Sequence, residues 1–168
     1  MLRYPDFRAY ERSFQLMAQV SGRAGRKNKQ GKVIIQTYDT ENIIINQVVR
    51  NDYLQMYEYQ LKERKQFFYP PFSRLIKLTL KHRDKNLLNK VSNELAEVLK
   101  EIEKCKILGP TTPVIIRIQN HYLKTILIKL AKDPMITETK RKIQNAISEI
   151  NAKPAYKTTQ IIIDVDPY

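Results

Sequence analysis

The residues best suited to chemistry lie in one short segment with two arginines, three positions apart and each preceded by a glycine. The segment reads Gln19-Val20-Ser21-Gly22-Arg23-Ala24-Gly25-Arg26. On a helix, this spacing places Arg23 and Arg26 on one face. A guanidinium is permanently charged, and its planar set of donors matches phosphate oxygens in pairs. The pattern predicts a polyphosphate contact; the alternative is a basic helix end whose arginines neutralise the last carbonyl groups.

A glutamine and two glycines complete the surface around these arginines. Gln19 lies one helical turn before Arg23. Gly22 and Gly25 have no side-chain bulk, so the face can approach a flat or highly charged ligand closely.

The composition narrows the class of partner. The chain of 168 residues has 30 Lys and Arg against 17 Asp and Glu, which gives a formal net charge of +13. This excess favours a polyanionic partner. Nucleic acid fits better than a membrane, because no apolar run approaches the ~20 residues of a membrane span.

Other reactive residues give no catalytic or metal-binding pattern. Cys105 is the only cysteine, so the chain has no internal disulfide and no cysteine-based zinc site. His82 and His121 have no nucleophile or ligand set beside them in the sequence, and Asp164 and Asp166 are expected to be solvated at a strand end. The sequence therefore predicts no metal site.

Residues 1–52 have the pattern of the end of an α/β domain. The pattern predicts a helix over 9–22, a buried β-branched strand over 32–38, and a helix over 41–50 capped by Asp39-Thr40. About fifty residues are too few to complete a parallel sheet with its crossover helices. We therefore expect this part to belong to a larger domain.

Residues 53–72 form the predicted connection. Apolar residues and tyrosines along one side predict a helix to about residue 65, and we attribute the tyrosines to packing rather than to base stacking. Pro70 and Pro71 end this helix within a run of aromatic residues that requires burial. The pattern predicts a packed elbow rather than a flexible linker.

Residues 73–168 show the order β-α-β-β-α-β. The predicted strands are 74–81, 113–118, 123–130 and 159–165, and the predicted helices are 84–104 and 133–151. This order is typical of a ferredoxin-like domain, an antiparallel sheet with both helices on one face. The expected fold class of the chain is therefore α/β followed by α+β.

The second sheet face carries the candidate nucleic-acid contacts. The outward positions of the predicted strands include Lys77, Lys81, Arg117 and Lys129. A basic sheet face is suited to following a phosphate backbone. The alternative is a lysine-rich face that only increases solubility and is partly covered by the rest of the protein.

The segment Gln19–Arg26 resembles the sixth conserved motif of superfamily 2 helicases. Four further stretches resemble the primosomal replication-restart helicases in order and spacing: residues 5–16, 31–37, 69–72 and 164–167. The resemblance covers essentially the whole chain, but only the C-terminal part of such a helicase. It implies that Met1 is an internal or introduced start.

The resemblance also implies a role for each part. Residues 1–52 would be the end of the second RecA-like helicase lobe, and residues 73–168 the family's C-terminal DNA-binding domain. The intact enzyme would be an ATP-dependent 3′–5′ DNA helicase that remodels stalled forks and restarts replication. Arg26 would be the arginine finger and Arg23 its companion, with Gln19, Gly22 and Gly25 in the nucleotide-binding motif.

The parts that such an enzyme needs for hydrolysis are absent from this sequence. It has no G-x-x-x-x-G-K-[ST] phosphate loop, no acidic magnesium motif and no paired cysteines for the family's zinc ions. We expect the isolated chain to be inactive, with ATP, Mg²⁺ and zinc bound by upstream regions.

The expected partners follow from the same resemblance. They are branched or single-stranded DNA, the single-stranded-DNA-binding protein and other primosome proteins, in the cytoplasm at the nucleoid and not at a membrane. A hypothesis of another class remains open: a stand-alone basic nucleic-acid-binding module without enzymatic activity.

Overall fold

The computed structural model describes residues 6–24 and 31–167 of the chain. The chain divides into two compact units, Met1–Phe67 and Phe68–Tyr168. Within the described ranges, every helix is too short or too polar to cross a membrane.

The described part of the first unit consists of three helices, α1 (Ala9–Ser21), α2 (Ile43–Val49) and α3 (Tyr53–Gln66). The side chain of Asn42 accepts a hydrogen bond from the Ile44 N–H at 3.1 Å, and Asp52 accepts one from the Gln55 N–H at 2.9 Å. These caps begin α2 and α3 because each satisfies an N–H group that the helix leaves unpaired. The three predicted helices are confirmed, but the predicted cap Asp39-Thr40 is wrong, since Asn42 has this role.

A small apolar core joins the three helices. Phe14, Ile44, Val48 and Met56 are buried in it, with α1 residues such as Tyr10 and Met17 packed around them. The predicted strand over 32–38 is wrong: residues 31–37 have no regular structure, and Ile34 is 81% exposed. A strand needs a neighbour to pair its N–H and C=O groups, and the described part of this unit offers none.

The second unit is a mixed α and β domain with an antiparallel sheet. In chain order its elements are β1 (Ser73–His82), α4 (Lys85–Lys100), β2 (Cys105–Thr111), β3 (Arg117–Ile118), β4 (His121–Ala131), α5 (Ile136–Ala152) and β5 (Gln160–Val165). The strand order is β2-β4-β1-β5, and the short β3 pairs with β4. Each strand pair is antiparallel.

One face of this sheet is buried against α4 and α5. Apolar residues alternate along β1 and β4, as predicted, and they meet the apolar stripes of the two helices. The buried set includes Ile76, Leu78, Leu80, Ile126, Ile128 and Leu130 from the strands, Leu88, Val91, Leu95 and Leu99 from α4, and Ile143, Ile147 and Ile150 from α5. The predicted helices α4 and α5 and strands β1, β4 and β5 are confirmed.

The predicted second strand is wrong in position. The sequence pattern placed it at 113–118, but β2 covers Cys105–Thr111, and of the predicted run only Arg117–Ile118 pairs with β4. Gly109-Pro110, a pair that usually marks a turn or a break in sequence, lies inside β2 where its register with β4 shifts between Leu108 and Thr111. A proline is tolerated there because β2 is an edge strand.

Gly109 is the position where this irregularity requires glycine. Its φ is +105°, and a Cβ atom there would lie 2.7 Å from the carbonyl oxygen of Thr125 in β4. A side chain would therefore have to displace backbone atoms of the neighbouring strand.

We expect Gly109→Ala to lower the free energy of unfolding of the second unit by about 1–3 kcal/mol, the usual cost of such a backbone conformation. Urea denaturation followed by far-UV circular dichroism measures the change. Thr112→Ala is the control, since Thr112 is exposed on the same segment and should change stability by less than about 0.5 kcal/mol. Equal stability of both variants would contradict the assignment.

Candidate nucleic-acid interface

The glycine–arginine segment begins at the C-terminal end of α1. Gln19 lies in the last turn and Gly22 follows the helix; both are exposed, as is Arg23. The N–H of Arg23 donates to the Val20 carbonyl at 3.2 Å, so the helix ends in a tighter turn. Gly25 and Arg26 lie outside the described residues, and the predicted arginine pair therefore stays a prediction.

A cleft of about 650 Å³ lies beside Gly22, between the end of α1, residues 31–40 and α2. Its described lining is apolar or neutral, with Val33, Ile35 and Val48 among its walls. The polar side chains among its described lining are the neutral Ser21, Thr37, Thr40, Asn46 and Asn51. Arg23 is exposed close to this cleft in the chain, directly after Gly22.

The open face of the second unit's sheet is polar at its centre. Thr79 in β1 lies opposite Thr125 in β4, and the hydroxyls of Thr125 and Thr111 are 3.0 Å apart. Lys77 and Lys81 flank Thr79 on this face, and both are half-buried. Threonine hydroxyls therefore lie between the lysines of this face.

The two lysines of β1 have different neighbours. Lys77 lies opposite Asp164 of β5, so a carboxylate shares its part of the face. Lys81 lies opposite Gln160 of β5 and Leu123 of β4, and neither of these side chains is charged. Of the two, Lys81 is better placed to meet a phosphate.

Lys129 does not occupy the exposed position that the sequence predicted. It is 3% exposed, and its Nζ lies 3.3 Å from the centre of the Tyr69 ring in the Pro–Pro turn. Burial, and secondarily the charge of Lys106 opposite it on β2, lower the pKa of Lys129 to about 8. The aromatic turn covers this end of the sheet, so the amine packs under a ring rather than facing solvent.

Arg117 lies at the other end of the sheet. It is exposed in β3, and its guanidinium carbon is 5.1 Å from the centre of the Tyr122 ring across the hairpin. Lys81 lies near this end, opposite Leu123, whereas Lys129 is six residues further along β4. At ~3.4 Å per residue, that is about 20 Å. The structure thus brings Lys81 near the Arg117 hairpin but separates both from Lys129. The predicted place of Arg117 on the open face is wrong, because Arg117 pairs with Tyr122 and therefore lies on the sheet face opposite to Lys81.

The sequence interpretation missed an exposed apolar run beside this hairpin. Val114, Ile115, Ile116 and Ile118 are between 43% and 77% exposed. The interpretation treated them as part of a strand over 113–118, because three consecutive apolar residues give no alternation from which to judge exposure. The turn residues Gln119-Asn120 directly after the run were the available signal of a hairpin end.

Both histidines and Asp166 are engaged in local structure. His82 Nδ1 accepts a hydrogen bond from the Asp84 N–H at 2.9 Å, and His121 Nδ1 is 2.8 Å from the Gln119 carbonyl oxygen. The Asp166 carboxylate pairs with Arg74 at 2.7 Å and joins the ends of β5 and β1. Across residues 6–24 and 31–167, no cluster of His, Cys, Asp and Glu is arranged to hold a metal ion.

Comparison with known proteins gives a family match. The family model "Primosomal protein N C-terminal domain" matches residues 65–168. Three similar curated proteins are each named "Replication restart protein PriA": those of Bacillus subtilis (34% identity over 99% of this chain), Chlamydia pneumoniae (32% over 97%) and Borreliella burgdorferi (30% over 98%). The chain spans 21%, 21% and 24% of their lengths.

The buried amine of Lys129 predicts a pH dependence that Lys129→Met should remove. With a pKa of about 8 in the folded chain and 10.5 in the unfolded chain, unfolding takes up a proton between these pH values. The stability of the wild type relative to Lys129→Met should therefore rise from about pH 8 to about pH 10.5 and be level below that range. Urea denaturation of both chains over this pH range measures the difference.

Lys106→Met is the control for the cause of this shift. It removes the like charge opposite Lys129, so the rise in stability should begin at a higher pH. Parallel stability profiles of wild type and Lys129→Met would show that the amine is not desolvated.

Proposed function

Because the chain belongs to the primosomal protein N C-terminal domain family, we propose that it is the C-terminal part of an ATP-dependent 3′–5′ DNA helicase. The intact enzyme remodels stalled replication forks and restarts replication. The observation that carries this proposal is the family match over residues 65–168, together with relatives named for replication restart that align with nearly the whole chain.

The first unit is, in this proposal, the end of a RecA-like helicase lobe. Its described core is small, and several large apolar side chains remain exposed, among them Val20 at 62% and Val49 at 71%. A unit of this size buries a smaller fraction of its surface than a larger domain does, so covering such residues would add to its stability. Residues 31–37 would gain strand partners in the complete lobe, which accounts for their apolar, β-branched sequence.

The glycine–arginine segment supplies the nucleotide contact of that lobe. Arg26 acts as the arginine finger and Arg23 as its companion, with Gln19, Gly22 and Gly25 in the same motif. The exposed guanidinium of Arg23 fits this role by its chemistry, since it offers a fork of donors to a phosphate. ATP and Mg²⁺ are held by upstream regions, as are the zinc ions of the family, and the isolated chain does not hydrolyse ATP.

In the intact helicase, we expect Arg26→Ala to lower DNA-stimulated ATP hydrolysis by roughly 10³–10⁵-fold, about 4–7 kcal/mol of transition-state stabilisation. Binding to forked DNA should be unchanged, because the finger acts only on the transferred phosphate. The matched control is Arg50→Ala, which removes an exposed arginine of the same unit. Normal hydrolysis in Arg26→Ala would exclude the finger role.

The second unit is proposed to be a ferredoxin-like DNA-binding domain. Its strand order β2-β4-β1-β5 and the packing of α4 and α5 on one face are the features that support this fold. The whole chain has a formal net charge of +13, which supports an anionic partner. DNA with a branch or a single-stranded arm is the proposed ligand, and the single-stranded-DNA-binding protein and other primosome proteins, in the cytoplasm, are the proposed partners.

The other candidate function is a stand-alone basic nucleic-acid-binding module. It explains the charge and the second unit but leaves the glycine–arginine segment without a role. An upstream reading frame that continues into a phosphate loop would exclude it. A promoter directly before Met1 would favour it.

DNA binding by the isolated chain is tested by replacing Lys77 and Lys81 together with glutamine. If both contact phosphates, the slope of log affinity against log salt for duplex DNA should fall by about 0.9 for each lost contact. Fluorescence anisotropy with a labelled duplex at several salt concentrations measures the slope. Lys90→Gln is the control, because Lys90 is exposed on α4 at the opposite side of the sheet.

If the salt slope of the double variant equals that of the wild type, the DNA phosphates contact another part of the chain and not this face. Absence of binding by the wild type at low salt would overturn the proposed DNA-binding function itself.

A further inference from the structure

The β3–β4 hairpin presents an exposed surface that has no role in the proposed function. Its two-residue turn is Gln119-Asn120, with φ values of +46° and +63°, as in the tight turns that join adjacent antiparallel strands. The Leu123 N–H donates to the Ile116 carbonyl at 3.0 Å, which extends the pairing beyond β3. The hairpin is therefore held by backbone hydrogen bonds rather than by burial of its side chains.

The side chains of this hairpin and of the segment before it are unusually apolar for their exposure. Val114 is 77% exposed, Ile115 61%, Ile116 56% and Ile118 43%. Isolated exposed apolar residues are common, but a contiguous group usually marks an interaction site.

The charges around the group indicate what kind of partner it fits. The basic residues at this end of the sheet are Lys81 of β1, on the same face as Ile118, and Arg117 and Lys124 of the hairpin, on the other face. Arg117 lies between the two isoleucines that flank it in sequence and is itself exposed. A partner for this surface must combine negative charge with apolar area.

Nucleic acid with unpaired bases has both properties, because its phosphates are anionic and its base faces are apolar. Proteins that separate or kink base steps insert Ile, Leu, Met, Phe or Pro side chains between them. An anionic membrane surface also combines charge and apolar area, but proteins usually enter it with an amphipathic helix, whereas this group lies on a loop and hairpin. The register places an amine beside the apolar group, since Ile118 pairs with His121, on the same sheet face as Leu123 and therefore Lys81.

We propose that the apolar tip formed by Ile115, Ile116 and Ile118 contacts bases exposed at a DNA junction, while Lys81, on the same sheet face as Ile118, contacts an adjacent phosphate. This inference rests on the proposed DNA-binding function and deepens it by naming the element that distinguishes a junction from plain duplex. The hairpin would add affinity where bases are unpaired and add only charge where they are not.

The test compares the wild-type chain with the double variant Ile116→Ser/Ile118→Ser on three labelled DNAs: a blunt duplex, the same duplex with one unpaired arm, and a single strand. We expect the variant to lose roughly tenfold or more of its affinity for the two DNAs with unpaired bases, with little change for the blunt duplex. The salt slope should be unchanged, because an apolar contact releases no counterions. Lys81→Gln should instead lower the slope by about 0.7–0.9 on all three DNAs.

Val165→Ser is the matched control, since Val165 is 56% exposed, as Ile116 is, but lies at the end of β5. Ile115→Ser gives a second variant outside the hydrogen-bonded ladder, in case the double variant disturbs the hairpin. Circular dichroism shows that each variant is folded.

Three results would overturn the inference. One is wild-type affinity of the isoleucine variants for every DNA, and another is an equal loss of affinity on all three. The third is that the isoleucine variants lose binding to vesicles with anionic headgroups but keep wild-type affinity for DNA. If the wild type binds none of the DNAs at low salt, the proposed DNA-binding function fails together with the inference; if it binds and the isoleucine variants match it, only the inference fails.

Discussion

Burial of one face of the antiparallel sheet against α4 and α5 is the constraint on which the second unit depends. Leu78 in β1 lies opposite Ile126 in β4 and Ile163 in β5, and successive side chains of a strand point to opposite faces. A shift of one residue in register would move the whole apolar set of a strand to the other face. The buried face therefore also fixes which residues occupy the open face.

What the open face can do depends on the segments that lie over its ends. At one end, the Pro–Pro turn places the Tyr69 ring over Lys129 and removes a charged group from solvent. At the other end, the β3–β4 hairpin leaves Ile116 and Ile118 exposed. The lysine is therefore buried and the two isoleucines are exposed. The exposure of each side chain depends on which segments cover it and not on its hydropathy.

The stability of the first unit is limited, because its described residues bury little apolar surface. Its helices are well capped and share a core around Phe14 and Met56, yet Ile34 and Val49 remain exposed. Ile34 lies in the irregular segment 31–37, which has no strand partners among the described residues. The proposed helicase lobe would supply those partners, and the arginine segment at the end of α1 would then complete a site whose other half lies in a different part of the protein.

The sequence by itself determined the family and most of the regular elements. Gln19–Arg26, with the stretches that resemble replication-restart helicases, identified the family, which the match over residues 65–168 confirms. Strong periodicity predicted all five helices of the described chain and three of the strands, because amphipathic patterns of period 3.6 and period 2 are local properties that a single sequence displays.

Only the tertiary structure decided the position of β2, the absence of a strand over 31–37, and the exposure of the candidate site. An apolar run such as 113–118 has the same sequence signature whether it is buried or exposed, and Gly109-Pro110 is a break or a bulge depending on the neighbouring strand. The burial of Lys129 depends on Tyr69, sixty residues earlier in the chain. Each of these outcomes depends on a contact between segments that are distant in sequence, and a local sequence pattern does not indicate such a contact.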